Sequence, residues 1–377
     1  MIVISISFIA GVLYVFLVIL FVVGWNRHYA FEPRGNEEAG LKVSVVVACK
    51  NEERNIRQLI SCIAQQSYQD FELIIVDDHS KDATRAFVKQ AIRTLPQLKM
   101  IDAAGNGKKN ALKEGILQSE NDFIVTIDAD CVPTFHWLES IVCFQEKLPS
   151  DLLICPVRIK ESDGVLLRIQ ALEFVSLVAA GAGAAGMGMP ILCNGANLAF
   201  RKKAWLESQH ELHDEIASGD DIFLLHSVKK RKGVIRFLRS ESALVDTKPV
   251  TSLPGFFKQR IRWTSKAPAY TDLETIAVAA IVLGTALSEL VLLVGAFENM
   301  DCLVAFGVLF CAKYLVDFLF LSHVQKFFYL KNVGLDSMLL SLIYPFYIVS
   351  VVVMTFFGGW RGRSKGLREN QRFEIIR

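Results

Sequence analysis

The sequence predicts a doubly wound, mostly parallel α/β domain with one membrane helix before it and about three membrane or interfacial helices after it. Three observations carry this. First, short runs rich in β-branched residues, VSVVVA (43–48), FELIIVDD (71–78) and DFIVTIDAD (122–130), read as buried parallel strands. Second, they alternate with segments of helical length, the pattern of a parallel sheet with helical crossovers. Third, apolar residues are concentrated at 2–23, 275–297, 302–322 and 337–357. Each stretch approaches the ~20 residues that cross ~30 Å of hydrocarbon. With 52% hydrophobic residues among 377, the chain is too apolar for an ordinary soluble enzyme.

The elements follow in order. Residues 1–25 read as an uncleaved anchor, because no basic segment precedes the apolar run and no A-x-A site follows it. Trp25, Arg27, His28 and Arg34 place its end on the cytosolic side, with Trp25 at the lipid interface. A linker (26–40) leads into a cytosolic domain over 41–270. Within it, Asn51 is expected to cap a helix near 52–66, and Ser80 or Asp82 a helix near 82–95. Residues 105–118 form a loop and an amphipathic helix, and a further helix covers 222–231. The Gly- and Ala-rich stretch 171–190 reads as an interfacial or acceptor-cleft segment. A crossing there would separate residues 191–270 from the carboxylate clusters upstream. Membrane helices occupy 271–360 and a basic tail 361–377, making the chain a multi-pass integral membrane protein. One count does not close. One crossing before the domain and three after it leave Arg361, Arg363, Lys365, Arg368, Arg372 and Arg377 outside, against the positive-inside rule. One C-terminal stretch is therefore expected to be re-entrant or interfacial.

A net charge of +2 excludes a strong field for nucleic acid. Eight cysteines without a CxxC pair read as reduced and buried. His136, His210, His213 and His226 have no metal-ligand spacing, and KKRK (229–232) reads as a solvated basic face. Glu289, Lys313 and Asp317 lie inside apolar segments, where ionisable groups face protein or a polar cavity, and the last two are spaced to pair.

The chemistry gathers at strand ends, where ligands bind in such sheets. Of Asp128 and Asp130 in IDAD, one can ligate a hard divalent cation, its shell completed by substrate phosphates, while the other orients a ribose or a ligating water. The same spacing also serves an ordinary strand-end turn. Asp77 and Asp78 in VDDHS can accept hydrogen bonds from a base or ribose, or form an Asx turn. Lys108 in GKKNAL stands at a helix start that suits a phosphate. Asp220 and Asp221 in SGDD offer a general base, or a helix cap. Gln259, Arg262 and Trp263 in QRIRW suit a diphosphate and a stacked sugar ring, or an interfacial helix with a Trp anchor.

In this order, VVVACKNEE, IIVDDHS, GKKNAL, IDADCVP, GANLAFRK, SGDD and QRIRW, over about residues 41–265, resemble the family 2 glycosyltransferases of GT-A fold. The resemblance implies that Asp78, with Asp77 and Glu52, binds uridine. It implies that Asp128 and Asp130 hold Mg²⁺ or Mn²⁺ on the nucleotide diphosphate. It makes Asp221 the base, with Asp220 where the family usually has Glu, and puts Gln259, Arg262 and Trp263 at the acceptor and diphosphate. An inverting transfer from an α-linked UDP-sugar to a β-linked product follows. The ending GGWRGR (358–363) resembles the W-K-G-R ending of ceramide-, carotenoid- and diacylglycerol-type glucosyltransferases. With the small number of membrane helices, it favours a membrane lipid as acceptor over a growing polysaccharide. A non-catalytic membrane scaffold would have lost carboxylates that are all present here. Protein partners are not indicated.

Overall fold

A computed structural model describes residues 1–33, 40–160, 163–213, 216 and 218–373, with side chains to residue 356. Arg34 and the tail's Arg377 lie outside the described residues. So do the side chains of Trp360, Arg361, Arg363, Lys365, Arg368 and Arg372. The chain forms two compact units, one of residues 18–249 and 319–336, the other of residues 1–17, 250–318 and 337–377.

The first unit holds the sheet. Its first half comprises β1 (Val43–Cys49), α2 (Ile56–Ala64), β2 (Phe71–Asp77), α3 (Thr84–Ile92), β3 (Leu98–Asp102), α4 (Lys108–Gln118), β4 (Phe123–Ile127), β5 (Val132–Pro133) and α5 (Trp137–Lys147). Its second half adds β6 (Leu152–Ile154), β7 (Val157–Ile159), α6 (Val165–Gly186), β8 (Asn197–Arg201), α7 (Lys202–Ser208), α8 (Asp220–Lys230), β9 (Ile235–Phe237) and β10 (Val245–Thr247). The main sheet runs β3-β2-β1-β4-β8-β6-β9, parallel from β3 to β4 and antiparallel on both sides of β8. The predicted mostly parallel α/β class is the observed one. The chain winds one way from β1 to β2 and β3 and the other way to β4. This puts a topological switch point beyond the carboxyl ends of β1 and β4.

Two buried polar nodes fasten the sheet. Glu72 accepts from the Ser44 hydroxyl at 2.6 Å, the Glu120 amide at 2.6 Å and Lys99 at 3.0 Å. Burial alone would raise its carboxyl, and these donors instead hold it below the usual range. Asn197 is fully buried. It accepts from the Trp137 indole at 2.9 Å and donates to the Pro156 and Ala243 carbonyls at 2.8 and 3.0 Å.

Several local expectations need correction. Asn51 does not cap the first helix. It sits at φ 56°, and α2 begins at Ile56. The N-cap of α3 is Ala83, neither Ser80 nor Asp82; Asp82 accepts the Thr84 amide at 3.0 Å from one position further out. Trp25 is not an interfacial anchor. It is fully buried among Phe237, Phe327 and Phe328, with Arg239 over its ring at 4.9 Å. KKRK is not simply a solvated face. Lys229 donates to the Pro190 carbonyl, Lys230 to Glu211, and Arg231 to Ala204 and Ser208.

The stretch 171–190 falls on α6, which is half-buried and packs on β7 and β9. Its glycines meet the end of α1 (Ile2–Arg27), where a Cβ on Gly24 would fall 1.8 Å from the Gly183 carbonyl oxygen.

The second unit contains α9 (Leu253–Thr264) and α10 (Leu273–Gly295), with most of α11 (Met300–Phe328) and α12 (Val333–Phe373). Among the described residues, five helices are long and apolar enough to cross a membrane: α1, α6, α10, α11 and residues 333–356 of α12. All eight cysteines are free, and only Cys311 is exposed.

Candidate active site

The loops after β1 and β2 are laced together, which builds a rigid floor. The Asn51 amide donates to Ser80 Oγ at 2.9 Å, and Asn51 Oδ1 accepts the Lys81 amide at 2.8 Å. The Glu52 amide donates to Thr84 Oγ1 at 2.8 Å. Asn51 and His79 both occupy left-handed backbone, at φ 56° and 58°. Such conformations persist where surrounding structure enforces them, often at functional sites.

On this floor the two neighbouring aspartates have different surroundings. Asp77 is buried and engaged by the Ser80 amide at 3.2 Å and Arg85 at 3.4 Å. Asp78 receives Lys50 at 3.1 Å and faces His79 Nδ1 at 3.3 Å. Burial would raise the Asp78 carboxyl, but the Gly107 amide, Lys50 and His79 hold it below the usual carboxylate range. Gly107 can aim that amide because it adopts φ 92°, a conformation open to glycine at the start of α4.

Next along the sheet, Lys108 Nζ donates to Asp128 Oδ1 at 2.5 Å. Burial would lower the Lys108 ammonium, yet Asp128, then Asp221 and Asp220, keep it above its ordinary value. These four charges therefore share one site. Burial, then the charge of Asp128, pushes the Asp130 carboxyl up. Burial likewise raises Glu52, aided by Asp130 and Asp128 and opposed by Asn55, whose amide donates to Glu52 at 2.6 Å.

The last side of the site is the start of α8, introduced by Gly219 at φ 104°. Asp221 Oδ2 accepts the Gly195 amide at 3.0 Å and Oδ1 the Ile222 amide at 2.8 Å, which orients this carboxylate. Asp220 contrasts with it. Its Oδ1 is buried without a hydrogen-bond partner among the described residues, and burial plus the Asp221 charge raises its carboxyl.

The structure thus gathers Glu52, Asp77, Asp78, Lys108, Asp128, Asp130, Asp220 and Asp221 at one edge of the sheet. Gln259, Arg262 and Trp263 lie on α9, in the other unit. Sequence reasoning missed three contributors. Lys50 pairs with Asp78, and Lys109 donates to the His213 carbonyl at 2.7 Å, tying the loop before α8 to α4. Lys248, just beyond β10, donates to Asn55, and its charge opposes the rise of both the Glu52 and Asp130 carboxyls. Lys50 stands within VVVACKNEE and Lys109 within GKKNAL, so both could have been flagged. Nothing near Lys248 in sequence marks it.

Asp128 and Asp130 suit a hard divalent cation. Both are oxygen donors at the end of one strand, and their mutual repulsion would be relieved by positive charge. Among the described residues no group of three or more His, Cys, Asp or Glu is arranged for a metal. Such a cation would draw its remaining ligands from diphosphate and water.

Comparisons with known proteins fit this geometry. Residues 44–205 match the model "Glycosyl transferase family 2". Poly-beta-1,6-N-acetyl-D-glucosamine synthase of Staphylococcus epidermidis is 26% identical over 227 residues, 59% of this chain and 53% of that protein. The synthase of Staphylococcus aureus strain COL shows the same identity over the same lengths. The chain spans about half the length of these curated relatives. Among solved structures, a mannosyltransferase from Pyrobaculum calidifontis, in complex with GDP-Man and Mn²⁺, shares the fold. Its TM-score is 0.56 at 16% identity, covering 90% of this chain and 99% of that one. Residues 44–205 therefore match the family 2 glycosyltransferase model, and the chain shares the GT-A fold of the mannosyltransferase.

Proposed function

We propose that this protein transfers a sugar from a UDP-sugar to a hydroxyl of a membrane lipid, with inversion, on the cytosolic face of the bilayer. The observation that carries the reading is the meeting of Asp78, Lys108, Asp128, Asp130 and Asp221 at the switch point of the sheet. Asp78 and Glu52 accept hydrogen bonds from the uridine, and Asp77 holds the loop that presents Asp78. A divalent cation held by Asp128 and Asp130 would supply charge stabilisation for the departing diphosphate. Lys108 and Arg262 add fixed positive charge toward the same group, so no protein acid is needed there. Asp221 takes the acceptor proton as the hydroxyl oxygen bonds to the anomeric carbon and the bond to the diphosphate breaks. One displacement turns an α-linked donor into a β-linked product. Gln259 and Trp263 receive the acceptor, Trp263 by stacking on a sugar ring.

A second reading, a processive β-polysaccharide synthase, is favoured by the names of the staphylococcal relatives. Product partitioning separates the two. Membranes containing the protein would receive labelled UDP-glucose, UDP-galactose or UDP-N-acetylglucosamine with Mn²⁺ or Mg²⁺, and GDP-mannose as the contrasting donor. Label extracted into organic solvent from one UDP-sugar is the expected result and names the sugar. Label held in large aqueous material would establish the polysaccharide synthase. Label from GDP-mannose alone would overturn the uridine assignment.

A further inference from the structure

Within the helical unit, Glu289 of α10 is 1% exposed, and neither carboxylate oxygen has a hydrogen-bond partner among the described residues. Its charged neighbours are Lys313 and Asp317 of α11. Lys313 is buried and donates to Asp317 Oδ2 at 2.7 Å, while the Tyr14 hydroxyl of α1 donates to Asp317 Oδ1 at 2.8 Å. Lys313 Nζ also lies 5.3 Å and 4.9 Å from the ring centres of Tyr14 and of Tyr344 in α12. Four helices thus converge on one polar cluster.

The charges do not balance. Lys313 gives a hydrogen bond to Asp317, both Asp317 oxygens are engaged, and one lysine stands against two carboxylates. Glu289 is left as a carboxylate with no donor. A buried charge in that state is strongly unfavourable, and ionisable groups inside a bilayer mark functional positions by default.

We propose that Glu289 completes an intramembrane site for a single positive charge, a proton or a small monovalent cation, enclosed by Tyr14, Lys313, Asp317 and Tyr344. A divalent ion is disfavoured by Lys313. The site rests on reading α1, α10, α11 and α12 as membrane helices, and it is independent of the transfer reaction. Its surroundings continue through ring contacts, Tyr344 to Tyr347 at 6.0 Å and Tyr347 to Phe256 at 5.5 Å, to the helix that carries QRIRW.

The test uses the full chain in nanodiscs of zwitterionic lipid, with wild type and Glu289→Gln in parallel. Thermal unfolding is followed at fixed ionic strength in Na⁺, K⁺ or N-methylglucamine, and infrared difference spectra are taken across mildly acid to mildly alkaline pH. For a cation, replacing Na⁺ or K⁺ by N-methylglucamine lowers Tm by a few degrees in wild type and leaves the Gln variant unchanged. For a proton, Tm ignores the cation, and wild type carries a protonated-carboxyl C=O band that the Gln variant lacks. Should the Gln variant fail to fold, the cation series on wild type and the band shift in ¹³C-glutamate-labelled protein read the same quantities. Wild-type protein with neither cation dependence nor a protonated-glutamate band would overturn the proposal.

Discussion

Asp220 and Asp221 are neighbours in sequence with different hydrogen-bond surroundings. Asp221 is oriented by two backbone amides, whereas Asp220 carries a buried oxygen without a partner and a raised carboxyl. A carboxyl raised in the folded state favours folding when protonated, and that contribution is lost as pH rises through the folded value. At neutral pH the ionised Asp220 therefore weakens the fold. Asp220→Asn is expected to raise Tm at neutral pH, and the gain should shrink as acid protonates the wild-type group. Scanning calorimetry at two pH values checks this; a Tm lowered at neutral pH would count against the strained-carboxylate account. The motif residues of this site were legible because each stands at a strand end or helix start. Lys248 was not, because its role comes only from β10 carrying it beside Asn55.

At the level of elements, β1, β2 and β4 were readable from continuous apolar runs, with ends within a few residues of those observed, whereas β6, β8 and β9, of three to five residues, were not predicted. β3 was missed. It is an edge strand with exposed Lys99 and only one buried residue, so its run LKMID lacks that signature. The small sheet β5-β10-β7 was missed because strands of two or three residues are shorter than any periodic pattern. Asn51 failed as a cap because tertiary bonds to Ser80 and Lys81 claimed it. The crossing of α1 and α6 makes a sharper prediction. A Cβ on Gly24 or Gly186 would approach the opposing backbone oxygen to 1.8 or 2.0 Å. Small residues let helices approach this closely. Gly24→Ala should cost about 3 kcal/mol or more, read as a large fall in Tm. Gly284→Ala, which meets no atom within 4 Å, should be neutral or slightly stabilising. Equal effects at the two positions would refute the close crossing.

For the whole molecule, apolar blocks at both ends of the sequence foretold long helices there, and five helices among the described residues meet the length and composition for a span. The fifth, α6, is the segment that sequence reasoning kept out of the membrane because of where it would leave SGDD. Its burial against β7 and β9 suits that assignment without deciding topology. The account joins a nucleotide-sugar site to a membrane-borne acceptor through one base. The most direct measurement follows anomeric signals by NMR while the protein, in lipid, turns over the UDP-sugar it accepts, with wild type beside Asp221→Asn. The account predicts an α-linked donor consumed and a β-linked product formed by wild type. The Asn variant should bind UDP with Mn²⁺ as tightly but turn over at least about a hundredfold slower. An α-linked product, or turnover by Asp221→Asn at the wild-type rate, would contradict it.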